Sequence, residues 1–266
     1  MRTGCARTLG AAVLGLAAVV SGGSGAGGAA IVAPHAQETV GGNINNDLPW
    51  DARYFGPART QQVYASSEFD SWGRPQYINQ IAFRQDVNGV PFAATLPGVR
   101  IALSTTAQPV DGLSTTFADN VGRDESVVYQ GALPIFSMVD TTGGSWRDFD
   151  IAVNLQTPFL YDPSRGNLLL DITNPSLVET TGVDAHGEGG DGTSRVYAYG
   201  SDLSRGTADS LGLVTRFQTG GPDGLPQPPL PTTVPEPGSI AVLGLGFVFL
   251  IARRGRGARE FGRGVR

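Results

Sequence analysis

Apolar and polar residues alternate along much of the chain with a period of two, and no stretch keeps the 3.6-residue period of an amphipathic helix. Val99, Ile101 and Leu103 share one face while Arg100, Ala102 and Ser104 share the other. Phe149, Ile151, Val153 and Leu155 alternate with Asp148, Asp150, Ala152 and Asn154 in the same way. The pattern predicts further strands over 61–65, 77–84, 126–130, 167–172, 195–199 and 213–218. Turn residues separate them, as in Asp162-Pro163-Ser164-Arg165-Gly166-Asn167. Eight or nine strands, each with one apolar face, predict an all-β fold. Its expected form is an antiparallel β-sandwich of jelly-roll type, with a closed barrel as the alternative.

The two ends break this pattern. Arg2 and Arg7 precede an apolar stretch over 9–20, and small residues follow from Ser21, which reads as an export signal. Cleavage is expected after Ala30, with Ala36 as a second option that Pro34 weakens. The single cysteine, Cys5, falls inside this leader, so the mature body has no disulfide and relies on its core. Toward the other end, Pro222, Pro226, Pro228, Pro229 and Pro231 predict an extended stalk. The expected organisation is therefore a signal region over 1–36, an ectodomain over 37–219, a stalk over 220–233 and a C-terminal anchor over 234–266.

That anchor opens on Val234-Pro235-Glu236-Pro237, continues as an uncharged apolar run over 238–252, and closes on Arg253, Arg254 and Arg256. As a helix the run would span about 22 Å, short of the roughly 30 Å hydrocarbon core. Snorkelling arginines compensate for the shortfall and fix the orientation, with the ectodomain outside the cytoplasmic membrane. Box, apolar run and arginine cluster in this order resemble the PEP-CTERM protein-sorting signal. The resemblance implies an exosortase-type processing enzyme as partner, and release toward the cell surface or the extracellular space. The tail after Gly257 is longer than is usual for such signals.

Three strings in the body look like those of an ectodomain type common among PEP-CTERM proteins, and the likeness brings no activity with it. They are Asp111-Gly-Leu-Ser-Thr-Thr-Phe-Ala-Asp-Asn-Val-Gly122, Tyr161-Asp-Pro-Ser-Arg-Gly-Asn-Leu-Leu-Leu-Asp171 and Thr207-Ala-Asp-Ser-Leu-Gly-Leu-Val-Thr215. The formal charge of −5 conceals an acidic body: between residues 37 and 234, 22 acids face 11 arginines and there is no lysine. A body near −11 without a basic stripe argues against a nucleic-acid partner.

Candidate chemistry is sparse. With His35 beside the leader, His186 is left as the one histidine of the body, and neither a Gly-x-Ser-x-Gly elbow nor a Walker loop is present. The loop Asp184-Ala-His-Gly-Glu188-Gly-Gly-Asp191-Gly192 offers Asp184, Glu188 and Asp191 as calcium ligands, or else is a solvated loop. Trp72 and Trp146 sit in turn-rich settings where an aromatic plane stacks on a sugar ring, or else caps the core. A carboxylate pair drawn from the many acids is what a glycosidase would use. These readings lead to an exported, surface-sorted, non-catalytic protein of the cell envelope or extracellular matrix that binds glycan such as exopolysaccharide. The alternative is an exported polysaccharide hydrolase.

Overall fold

The computed structural model describes residues 29–51, 53, 55–138, 144 and 146–220. The chain divides into two units, Met1–Gln227 and Pro228–Arg266, and the second lies outside the described residues. Thirteen strands follow in order: β1 (Ala30–Ala33), β2 (Ile44–Asn46), β3 (Ala58–Tyr64), β4 (Gln76–Phe83), β5 (Phe92–Thr106), β6 (Ser126–Ser137), β7 (Ile151–Tyr161), β8 (Asn167–Asn174), β9 (Val183–Gly187), β10 (Thr193–Tyr199), β11 (Thr207–Asp209), β12 (Leu211–Leu213) and β13 (Thr215–Thr219). Among the described residues the only helices are short 3-10 segments, the longest being Ser66–Trp72. The all-β expectation holds.

The strands form a four-stranded sheet, β1-β13-β4-β7, a six-stranded sheet, β11-β10-β3-β8-β5-β6, and a small sheet, β12-β9-β2. Every pairing is antiparallel. The two larger sheets are separate and open-edged, so the alternative of a closed barrel is not formed. They pack face to face over one core that joins Ile78, Ile81, Phe83, Val153 and Phe217 of the first sheet to Leu96, Ile101, Leu103, Leu170 and Ile172 of the second. Strict alternation would put Ile78 and Ile81 on opposite faces of β4. A register shift between Ile78 and Gln80 changes the phase and lets both point inward.

The sheet reaches further back than the expected ectodomain start at residue 37. Strand β1 pairs with β13, Ala30 opposite Gln218 and Ala33 opposite Thr215, and its Ile31, Val32 and Ala33 are buried. The backbone N–H and the hydroxyl of Thr219 both donate to the carbonyl of Ala29 (2.9 and 3.0 Å), and Gly220 N–H donates to the Tyr77 carbonyl. The chain thus enters and leaves the sandwich side by side at one pole.

Strands β6 and β7 lie at edges of different sheets, and Gln156 closes the gap between them. Its Oε1 accepts from Gln130 N–H at 3.0 Å and its Nε2 donates to the Gln130 carbonyl at 3.2 Å, as a neighbouring strand would. An edge whose backbone groups are already occupied is a poor template for another chain.

Candidate functional site

The outer face of the six-stranded sheet is partly covered by the β5–β6 connection, residues 107–125. Leu113 and Phe117 from this connection bury themselves against Val63, Leu169, Val196 and Ala198 of the sheet. A turn closed by Gly112 N–H to the Pro109 carbonyl directs the loop inward, with Asp111 at φ 60° in the third position. A type II turn requires positive φ there, and Asp tolerates it better than most side chains.

Beneath the loop a polar network replaces apolar packing. The Arg59 guanidinium donates to both oxygens of Asp171 (Nε to Oδ1 3.0 Å, NH2 to Oδ2 2.6 Å) and lies 4.6 Å from the Phe117 ring centre. Gln61 Nε2 donates to Asp171 Oδ2 and to the Phe117 carbonyl, and its Oε1 accepts from Asn120 Nδ2. Asn120 Oδ1 in turn accepts from Ser114 N–H. Asp171, Gln61 and Asn120 are all buried, so each polar group needs the partners it has.

Beside this network runs an open groove of about 530 Å³, lined by Arg59, Arg100, Ala118, Val121, Glu125 and Thr173. Its floor is set by strand register: Arg59 on β3 stands opposite Thr173 on β8, which stands opposite Arg100 on β5. Neighbouring strands are about 4.8 Å apart, so the three side chains form a row across the sheet. Arg100 NH2 donates to Glu125 Oε1 at 2.8 Å, both residues remaining about one-third exposed. A smaller pocket of about 170 Å³ lies among Asp111, Ser194, Arg195, Asp209 and Ser210. Both oxygens of Asp209 there are taken by Arg195, at 2.9 and 3.1 Å.

The calcium triad does not assemble. Residues 183–187 form strand β9, where Asp184 is buried and accepts from Arg84 Nε at 2.7 Å and from Gly42 N–H. Burial raises its carboxyl above the ordinary value, against the pull of Arg84 and of the Gly42 N–H. Asp191 is occupied by His186 Nδ1 (2.7 Å) and by Thr193 N–H, while Glu188 is largely exposed, 3.9 Å from His186 Nε2. Among the described residues no group of three or more His, Cys, Asp or Glu is placed to hold a metal ion.

Trp72 belongs to the core and cannot stack on a ligand. It ends the Ser66–Trp72 segment with 7% exposure, its ring 5.0 Å from Phe69 and 6.3 Å from Tyr161. Trp146 is half-buried, with the Arg84 guanidinium 5.7 Å from its ring centre. Neither tryptophan lines the groove. The sorting residues Val234, Pro235, Glu236, Pro237, Arg253, Arg254 and Arg256 lie outside the described residues, as do residues 1–28 of the expected signal region over 1–36.

Arg59, Arg100, Glu125 and Thr173 carry no signal in the sequence, because the first, second and fourth look like ordinary polar strand positions and Glu125 like an ordinary loop acid. The three strings contain none of these four residues, but they supply the neighbours that surround them. The first supplies Asn120, Phe117, Ala118 and Val121, the second supplies Asp171, and the third supplies Asp209 and Leu213, whose backbone is held by Gln62 of β3. All three converge on β3 and its neighbours.

No curated protein and no solved structure matches the chain. Among the described residues no helix is long and apolar enough to cross a membrane. Residues 233–256 match the model of the PEP-CTERM protein-sorting motif. That motif is the recognition signal for exosortase processing and indicates export and membrane-associated sorting. The chain is therefore an exported, surface-sorted protein that carries a PEP-CTERM sorting signal.

Proposed function

We propose that the body is a non-catalytic, glycan-binding sandwich of the cell envelope or extracellular matrix, held outside the cytoplasmic membrane by one end until an exosortase processes it. The observation that carries this reading is the bonding of Thr219 to the Ala29 carbonyl. It brings the start and finish of the body to one pole, so a leader before residue 29 and a tether after residue 220 pull on the same side. Residues 238–252 and the arginines behind them act as the stop-transfer segment. Exopolysaccharide is the natural partner of such a body.

Strand order supports the jelly-roll reading of the sandwich. Without β2 and β9 to β12, eight strands remain, and they pair as nested hairpins: β1 with β13, β3 with β8, β4 with β7 and β5 with β6. Nested pairing of this kind, split between two sheets, is the wrapping that makes a jelly roll from two Greek keys.

A hydrolase reading has one observation in its favour: Asp111 and Asp209 line the same small pocket. Arg195 occupies both oxygens of Asp209, and Asp111 Oδ2 accepts from Gly190 N–H, so each carboxylate already serves the fold. The binding reading is preferred.

Its test is a truncation. Removing residues 234–266 is expected to release a soluble body outside the cytoplasmic membrane, while the full chain fractionates with membranes or the cell surface. A truncated protein that stays with the membrane fraction would refute the tether. Hydrolysis of polysaccharide by the released body, lost in Asp111→Asn, would move the assignment to the hydrolase.

A further inference from the structure

We propose that the groove over Arg59, Thr173 and Arg100 binds the vicinal diol of a neutral sugar unit within a polysaccharide chain. This rests on the glycan reading above and gives it a site and a ligand chemistry.

Donor and acceptor order comes first. Arginine only donates and an ionised glutamate only accepts, and Arg100 NH2 sits 2.8 Å from Glu125 Oε1 on the groove wall. A sugar hydroxyl does both. Two adjacent ring hydroxyls can therefore accept from Arg100 and donate to Glu125 together, keeping both charged groups satisfied. The pair is partly exposed, and exposed ion pairs contribute little to stability, so opening its geometry toward a ligand costs little. Thr173 adds a hydroxyl of either sense on the floor between the two arginines.

Charge then selects a neutral ligand. Arg59 is spent on Asp171 and Arg100 on Glu125, so the two cations that line the groove are each already balanced. Asp124 and Asp119 sit close in sequence to the same wall, on a body that is acidic throughout. A sulfate, phosphate or uronate would have to displace a carboxylate to gain a free guanidinium. A neutral diol displaces nothing.

Shape accounts for the rest. Ala118 and Val121 give the groove an apolar side, the counterpart of the C–H face of a pyranose ring. Asp171 and the Phe117 ring hold Arg59 in place before any ligand arrives, which lowers the ordering cost of binding. The volume falls within the ~300–1,000 Å³ range of ligand sites. Because the groove is open, it accommodates an internal unit of a chain as well as an end.

Affinity electrophoresis of the full-length protein, extracted in mild detergent, tests this through gels containing a β-glucan, a galactomannan, dextran or alginate. The wild type is expected to be retarded by at least one neutral polymer. Arg100→Ala and Glu125→Ala should each weaken that retardation about tenfold, the loss of a hydrogen bond to a charged group, with melting temperatures unchanged. Retardation equal in wild type and both variants would overturn the groove assignment and leave the glycan reading standing. No retardation in any gel would bring down both. Retardation by alginate alone, abolished by salt, would replace the diol site with an anion site.

Discussion

Arg84 and Asp184 form an ion pair closed off from water, with Nε 2.7 Å from Oδ2 and side chains 0% and 5% exposed. The same guanidinium donates through NH2 to the carbonyls of Gln37 and Val40 and lies over the Phe149 ring. Asp184 meanwhile accepts from Gly42 N–H with both oxygens. One pair thus fastens residues 37–42 to β9 and to the residue that follows β4. Gly42 has to be glycine, because a Cβ there would lie 2.1 Å from the Ala185 carbonyl oxygen.

Removing Asp184 leaves the Arg84 charge buried without its counter-charge. Asp184→Ala is expected to cost about 3–5 kcal/mol in urea unfolding. Calcium and chelator should leave the melting temperature of the wild type unchanged, since no ligand of the native state is being added or withdrawn. A rise of several degrees with calcium would restore the metal reading of the loop.

Trp72→Ala should behave as a core truncation. The ring packs on Phe69 and Tyr161 beneath a 3-10 segment, and emptying that space is expected to cost about 3–5 kcal/mol. Below the unfolding transition, polysaccharide retention should match the wild type. A stable variant that loses retention would return Trp72 to the binding surface.

Glu68 gives the fold a pH signature. Burial, reinforced by the charge of Asp191, raises its carboxyl above the ordinary value of 4.5, although the backbone N–H and the charge of His35 pull it down. Folding therefore favours the protonated form, and this contribution is fully present below pH 4.5 and fades as the pH rises through the raised value. Gln in its place keeps an oxygen for the His35 N–H without the charge. Glu68→Gln is expected to be at least as stable as wild type at neutral pH, with the difference closing on acidification below pH 4.5. Thermal melts across that range decide it, and a variant that is markedly less stable at neutral pH would contradict the raised carboxyl.

Strand β1 should survive export. Loss of residues 29–33 would strip Ile31, Val32 and Ala33 from the sandwich and deprive Thr219 of its acceptor. Amino-terminal sequencing of the exported protein is expected to give a first residue at or before Ala29. A start at Ile31 or Gln37 would show that the sheet forms without this edge.

Much of the fold was legible because burial on one face of a strand leaves a period-two trace. Strands β3 to β8, β10 and β13 each overlap an expected strand, although β5, β6 and β7 run six or seven residues beyond it at one end. Strands β1, β2, β9, β11 and β12 are not among those expected, each being only three to five residues long, too short for alternation to stand out from chance. Strand β9 misled most. Its carboxylates among glycines looked like a metal loop, but pairing with β2 and β12 made residues 183–187 a strand and turned Asp184 toward Arg84. Trp72 misled for a related reason, since a polar, turn-rich neighbourhood says nothing of what the turn folds over.

The all-β class and the sorting signal at residues 233–256 follow from the chain alone, because alternation and a contiguous motif are written in neighbouring residues. Which polar groups meet is settled by folding. Arg59, Arg100 and Thr173 come from three strands far apart in the chain, and they stand in one row because β3, β8 and β5 are neighbours in this register. A shift of one residue would turn each of them to the opposite face. Register is a property of paired strands, set by the core on their other side, and no single strand carries it.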